Sequence, residues 1–363
     1  MKRFLLSVFL ILLADLTSGA QEQPEGSAFD AAWNAYLSAR QSGKARELVV
    51  TAKNVLSIAE QSFGQDDDRL PALMSNYGMA LLKVRSKEAA IKVLEQSVEL
   101  AEAIHGRESA KMIPLLANYA DSQAETRNSS AQLRQYKRAL SLSKQHHGRD
   151  SVEYAALALR AGIKILELSK TQSGKIYLRY AREIYSAELG EDSHKAGLAA
   201  FYLGKTEMAA RNFKTATSHF LTALQGFESG DADDKKYELV ARAFLVKAYE
   251  QRGMSDEATE HCVAIGADSM LSPDQDYQPL FRMVPVYPKD MRSSRTEGFV
   301  DIRFTVDENG FVRNPVVVHS TNESFEQAAL DAIQRFRYAP RFEDGKAVAV
   351  DRVKTRAGFR LRK

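Results

Sequence analysis

The chain has 363 residues, 44% hydrophobic and 27% charged, figures of an ordinary globular protein that exclude a fibrous or wholly disordered one. Fifty Lys and Arg against 47 Asp and Glu leave a net charge of only +3, too balanced for charge alone to point to nucleic acid. The single cysteine, Cys262, excludes a disulfide framework and any multi-cysteine metal site, and nine scattered prolines exclude a polyproline rod.

In chain order, the first twenty residues read in three parts: the positive pair Lys2 and Arg3, an apolar run from Phe4 to Leu13, and the small residues Ser18-Gly19-Ala20. That is the layout of an export signal. Spanning a bilayer takes about 20 apolar residues, and Asp15 interrupts this run well short of that. A lipoprotein signal would place a cysteine where Gln21 stands. Residues 1–20 are therefore expected to be a cleaved signal peptide; the alternative is an uncleaved anchor.

An internal repeat follows. Gly64, Gly106, Gly148 and Gly190 are each 42 residues apart, and other columns keep the period: Leu94, Tyr136, Leu178 and Phe220, and the small residues Ser97, Ala139, Ala181 and Ala223. Apolar residues at three- and four-residue steps, as in Leu73, Tyr77, Leu81 and Ile91, Leu94, Val98, predict two amphipathic helices per repeat. Polar connectors such as Arg85-Ser86-Lys87 and Arg127-Asn128-Ser129 separate them. Each glycine suits a left-handed helix end, and an Asp or Ser after it suits a cap for the next helix. A looser copy spans Phe29 to Phe63, and another has helices near Lys236–Gln251 and Asp256–Ile265, making about six pairs. Lys164 and Arg182 stand where sister repeats carry smaller or apolar residues, which predicts irregular packing in the fourth pair.

The units over about residues 27–266 resemble tetratricopeptide repeats, most of all the 42-residue variety of kinesin light chains. The resemblance implies a solenoid that binds a protein or peptide in a groove lined by the first helix of each pair. In that family an Asn on this helix often holds the ligand backbone. The matching column is Asn76, Asn118, Arg160 and Tyr202, which reads equally as four solvated positions.

After Ile265 the period stops, and Ser272-Pro273-Asp274-Gln275-Asp276 reads as a linker. Beyond it the periodicity is two: Val300, Ile302, Phe304 and Val306 alternate with polar residues, as in a strand with one buried face. Glu308-Asn309-Gly310 reads as a tight hairpin turn whose Asn-Gly tolerates positive φ. A second strand runs through Val316 to Val318, and Phe325, Ala329, Ile333 and Phe336 share a helical face. At the end Val353, Thr355, Ala357, Phe359 and Leu361 alternate with Arg352, Lys354, Arg356, Arg360 and Arg362. The predicted order is strand, strand, helix, strand.

This segment resembles the TonB C-terminal domain. The matching residues are Pro285-Val286-Tyr287-Pro288, Glu297-Gly298-Phe299-Val300, Phe304-Thr305-Val306-Asp307 before Gly310, Phe325 with Ala328-Ala329-Leu330, and Phe336-Arg337-Tyr338-Ala339-Pro340 before Gly345. The resemblance implies a periplasmic location in a Gram-negative bacterium, or an inner-membrane anchor facing the periplasm. It also implies that the terminal strand, about Asp351–Leu361, pairs with an extended segment of an outer-membrane transporter or other envelope protein. On that edge Arg352, Lys354, Arg356 and Arg360 become partner-binding candidates. A homodimer through the same domain stays open. Residues 277–363 hold 16 Lys and Arg against 11 Asp and Glu, a surplus that either attracts an acidic partner or keeps the strand from aggregating.

The sequence departs from a standard transducer. It shows neither a membrane-spanning N-terminal helix nor a proline-rich rod, and Val284 precedes Pro285 where enterobacterial transducers carry a glutamine implicated in partner contact. Chemistry is sparse as well. There is no HExxH, GxSxG, phosphate-cradling loop or CxxC, so neither an enzyme, a cofactor nor a metal is expected. His105 and His147 precede repeat glycines, where a helix C-terminus favours an imidazole. His146 and His147 point about 100° apart on a helix and cannot readily share a metal.

The reading is of two domains: an all-α tetratricopeptide-like solenoid over 27–266, a linker over 267–276, and a small α+β domain of β-β-α-β order over 277–363. The preferred function is a periplasmic adaptor holding one protein on each domain. An energy transducer with an uncleaved anchor and a scaffold with a vestigial TonB-like domain are the alternatives. N-terminal sequencing of the protein from an envelope fraction is expected to return Gln21 as the first residue; Met1 would favour the anchor.

Overall fold

The computed structural model of the chain describes residues 28–125, 129–167, 171–227, 232–268 and 279–361. The expected signal peptide, Arg127 and Asn128 of one connector, and most of the expected linker lie outside them. The chain divides after His146 into two compact units.

The first unit consists of α1 (Ala28–Ser42), α2 (Ala45–Phe63), α3 (Leu70–Lys83), α4 (Lys87–His105), α5 (Met112–Glu125) and α6 (Ser129–His147). They form antiparallel pairs as the repeat predicts. Tyr36, Leu48, Val55, Leu70 and Leu73 build its first core layer. The repeat glycines adopt the expected positive φ, +86° at Gly64 and +81° at Gly106. Ser97 is fully buried and donates its hydroxyl to the Pro71 carbonyl at 2.6 Å, so its small side chain both permits and bonds the α3–α4 crossing.

The second unit opens with α7 (Val152–Glu167), α8 (Thr171–Leu189), α9 (His194–Ala209), α10 (Phe213–Phe227), α11 (Ala232–Gln251) and α12 (Ser255–Gly266). Ser151 and Ser193 cap α7 and α9 by accepting from the N–H of Tyr154 (3.1 Å) and Ala196 (3.4 Å), which relieves otherwise unpaired first-turn donors. The irregularity expected of the α7–α8 pair is confined to Arg182. Lys164 reaches Glu167 at 3.2 Å and carries its charge outward, whereas Arg182 reaches Glu191 at 3.5 Å with a terminal nitrogen while its Nε is buried without a hydrogen-bond partner among the described residues; Ala161 and Ala181 stay fully buried.

One packing rule recurs within the pairs. Leu94, Tyr136, Leu178 and Phe220 are each completely buried. A Cβ added to Gly78 would lie 2.6 Å from Leu94, one at Gly162 2.7 Å from Leu178, and one at Gly204 2.8 Å from Phe220. A large side chain on the second helix thus fills the space left by a missing one on the first.

The same unit continues with α13 (Lys289–Ser293), β1 (Gly298–Val306), β2 (Val312–Ser320), a 3-10 turn leading into α14 (Glu326–Ile333), β3 (Arg341–Glu343), β4 (Lys346–Val348) and β5 (Val350–Phe359). Strands β2, β1 and β5 make an antiparallel sheet in that order. Val300, Ile302, Phe304 and Val306 of β1 face Phe325, Ala329 and Ile333, as their alternation requires. One element departs from the expected order. The short hairpin β3–β4 was not predicted, because three-residue strands carry no readable period. The β1–β2 connection is the hairpin turn expected at Glu308-Asn309-Gly310, closed by the Asp307 N–H to the Phe311 carbonyl and the Gly310 N–H to the Asp307 carbonyl, both at 2.9 Å. The Asp307 carboxylate accepts the N–H groups of Asn309 (3.0 Å) and Phe311 (2.8 Å), and of the Asn-Gly pair only Gly310 has positive φ, +80°. A Cβ at Gly310 would lie 2.1 Å from the Tyr338 carbonyl oxygen.

Replacing Gly162 with Val places branched carbons against Leu178 and the Gly174 carbonyl (3.1 Å from the first added atom). The expected cost is about 1–3 kcal/mol, read as a lower urea midpoint for the full chain.

Candidate partner-binding surface

Strand β5 is an edge. Its inner side pairs with β1, Phe299 opposite Gly358, Asp301 opposite Arg356 and Arg303 opposite Lys354. Among the described residues no strand pairs with its outer side. The direction of its backbone groups follows from Phe299, whose N–H reaches the Thr321 hydroxyl (2.9 Å) and whose carbonyl accepts from Thr321 N–H (3.0 Å). Both groups point away from β5, so Phe299 and Gly358 are a non-hydrogen-bonded pair. By the alternation of an antiparallel ladder, Lys354, Arg356 and Gly358 send their own N–H and C=O groups outward. Arg352 interrupts the ladder at φ +60°, beside a register shift between Phe304 and Val306.

The four candidate cations on this strand are not equivalent. Arg356 forms a bidentate pair with Asp301 at 2.7 and 2.8 Å, and its guanidinium lies 3.8 Å from the Phe299 ring centre. That hydrogen-bonded pairing holds the Asp301 carboxyl below the usual carboxylate range. Arg352, Lys354 and Arg360 are exposed and form no ion pair among the described residues.

The motif residues build the platform behind the edge. Tyr287 meets the rings of Phe325 and Phe359 edge-on, at 5.8 and 5.7 Å, and donates its hydroxyl to the Thr296 carbonyl at 2.7 Å. Pro285 is partly buried, whereas Val284 and Val286 on either side are each 81% exposed. Pro288 precedes α13 and accepts the Arg292 N–H at 2.9 Å. A Cβ at Gly298 would lie 2.2 Å from the Thr321 hydroxyl. Tyr338 is buried, which pushes its phenol up.

Sequence reasoning quoted Arg337 as part of a motif and gave it no role; the structure gives it the central one. Its side chain is 1% exposed, pairs with Glu250 of α11 at 2.5 Å, and donates to the Thr259 hydroxyl (2.7 Å) and the Ser255 carbonyl (3.2 Å) of α12. It also donates to the Asn309 carbonyl at 3.0 Å and stacks on Phe311 at 3.7 Å. Around this ion pair Phe281 enters the core containing Cys262, and Pro340 abuts Gly266, where an added Cβ would lie 2.2 Å from the Pro340 carbonyl oxygen. Burial pushes the Cys262 thiol up to about 12, so it stays protonated and unreactive. The available signal was an arginine set between the aromatics of Phe336-Arg337-Tyr338.

The helical candidates are less uniform than one column suggests. Asn118 donates to the Ser75 hydroxyl at 2.8 Å, a tie between α5 and α3, and Asn76 is half-buried. In the second unit Arg160 is half-buried; Tyr202 meets Phe201 edge-on at 5.4 Å, and burial pushes its phenol up to about 12. His105 lies 3.1 Å from Asp68, and His146 lies 2.7 Å from the Glu108 carbonyl. Among the described residues no group of His, Cys, Asp and Glu is arranged to hold a metal, and no helix is long and apolar enough to cross a membrane.

Comparison with known proteins agrees with this architecture. The family model for the C-terminal region of the Gram-negative bacterial TonB protein matches residues 283–361. Protein TonB of Pseudomonas aeruginosa is 32% identical over 77 residues, 21% of this chain and 22% of that protein. The chain thus spans about a fifth of the length of the curated relative it matches. Among solved structures, BtubC (BKLC) from P. vanneervenii is 15% identical with a TM-score of 0.50, covering 64% of this chain and 88% of its own. A signal transduction ATPase with a tetratricopeptide repeat sensor from Pyrococcus horikoshii, also 15% identical, has a TM-score of 0.53 over 67% of this chain and 37% of its own. Residues 283–361 therefore form a TonB C-terminal domain, and the helices before it have the tetratricopeptide-like solenoid fold. Both kinds of module generally bind other proteins and are generally non-enzymatic, and the TonB-related family is associated with the Gram-negative envelope.

Removing one partner of a buried ion pair strands the other. Arg337→Leu is expected to cost about 3–5 kcal/mol in urea unfolding of the full chain. Adding Glu250→Gln should recover part of that loss.

Proposed function

We propose that the protein is a periplasmic adaptor, related to TonB energy transducers, that joins two envelope proteins. Residues 277–363 take an outer-membrane partner by strand addition to β5, and the helical repeats of residues 27–266 take a second protein in their groove. The observation that carries this reading is the outer edge of β5: a run of unpaired backbone donors and acceptors at Lys354, Arg356 and Gly358, flanked by exposed cations. Main-chain pairing would give affinity there, and the cations would favour a partner segment carrying carboxylates. The family's association with the envelope supports the location.

Deleting residues 277–363 is a poor test, because it leaves Glu250 buried without Arg337 and removes Phe281 from the helical core. Lys354→Pro is cleaner: it removes one outward N–H while leaving the bonds between β5 and β1 in place. With a photo-crosslinking residue at Arg352 or Arg360 in the cell envelope, the expected product is a crosslink to an outer-membrane protein. Lys354→Pro should reduce its yield about tenfold. Capture unchanged by Lys354→Pro would move binding to the helical groove, and crosslinks between two copies would indicate a homodimer.

A further inference from the structure

Gly358 stands on the edge strand without a conformational reason to be glycine. Its φ is not positive, and an added Cβ would meet nothing within 4 Å. Elsewhere in the same domain Gly298 and Gly310 are held by contacts of 2.2 and 2.1 Å and Gly345 by a φ of +75°, so Gly358, with open space and no positive φ, is the exception among them. Opposite it in the ladder lies Phe299, half-buried, its ring covered on one side by the Arg356 guanidinium at 3.8 Å. Phe299, Thr321, Arg356, Gly358 and Arg360 line a shallow depression at this end of the sheet.

Geometry says what can enter it. Gly358 directs its N–H and C=O to the outer edge, so a residue of an added antiparallel strand would form a hydrogen-bonded pair with it and place its side chain on the same face of the sheet. Gly358 contributes no side chain to that face, which lets the incoming one reach across to Phe299. An aromatic ring lying over a strand glycine, against a neighbouring ring and beside a guanidinium, gains both edge-to-face and cation–π contact. The Arg356 charge is neutralised by Asp301, whereas Arg360 has no ion pair among the described residues and stands at the rim. Glu297 lines the same depression but accepts the Leu361 N–H at 2.8 Å and makes no ion pair with Arg360, whose guanidinium therefore favours a carboxylate beside the aromatic residue.

We propose that β5 reads one side chain of its partner: an extended acidic segment places an aromatic residue opposite Gly358, against Phe299, with a carboxylate two residues along facing Arg360. This rests on strand addition to β5 and adds the chemistry of the partner segment.

The test pans a phage library of random linear 12-residue peptides on the full-length protein, on Gly358→Val and on Lys354→Pro. Val is a good strand residue and has room at position 358, so that variant keeps the sheet. Peptides bound by the wild type are expected to be lost on Lys354→Pro and to carry an aromatic residue at one fixed position, enriched about tenfold over the library. An acidic residue two positions away should accompany it. On Gly358→Val the aromatic enrichment should fall to the library level while binding of other peptides persists. N-methylating alternate amides of a selected peptide checks the backbone pairing without altering the protein. Binders lost on Lys354→Pro but showing no aromatic preference, or one that survives Gly358→Val, would overturn the subsite and leave strand addition standing. Binders indifferent to both Lys354→Pro and N-methylation would overturn strand addition itself and the subsite with it.

Discussion

A guanidinium buried to 1% exposure has to find a charge and acceptors, and Arg337 finds the charge and most of the acceptors of its two terminal nitrogens on a different module. Glu250, Thr259 and the Ser255 carbonyl come from α11 and α12, while the Asn309 carbonyl and Phe311 come from the hairpin that closes β1 and β2. The sheet domain cannot leave the last helical pair without exposing or stranding this pair of charges. Such a pair adds little net stability over a well-packed apolar contact, but it fixes one geometry among many. Phe281 and Pro340 add the apolar contact around it. The TonB C-terminal domain is therefore built into the end of the helical array, where a mobile tether would leave it independent.

The helical pairs rest on a simpler device. A bulky side chain on one helix needs an absence on the other, and this substitution of volume for volume repeats with the period of the sequence. At Gly78, Gly162 and Gly204 the close-packed interior leaves no room for an added methyl group, whereas opposite Tyr136 the position is Ala120 and holds one.

How much of this was legible follows from where each signal lies along the chain. The column Leu94, Tyr136, Leu178, Phe220 stood out by its spacing, and its counterpart Gly78, Ala120, Gly162, Gly204 lies 16 residues upstream at every step, equally periodic but easily passed over as ordinary small residues. The strand β1 was legible because one face is buried and one is not. The Arg337–Glu250 pair was not, since 87 residues separate its members and neither sits in a repeating column. The terminal strand itself was legible by alternation, yet alternation could not say that Arg356 is already engaged by Asp301 while Arg360 is not. Charge on a strand is a property of composition; its availability is a property of the neighbouring strand.

The bulge at Arg352 sets a length. The regular part of the edge runs from Val353 to Phe359, seven residues or about 23 Å of strand. Only alternate residues offer outward bonds, so an added segment gains a handful of hydrogen bonds, each contributing about 1 kcal/mol net. Association itself costs at least about 4 kcal/mol in lost motion. A contact of this size forms and dissolves readily. Residence on a partner would then depend on a second point of attachment, raising the effective concentration of the edge at its target, and the helices that precede the sheet in the same chain have the surface to supply one.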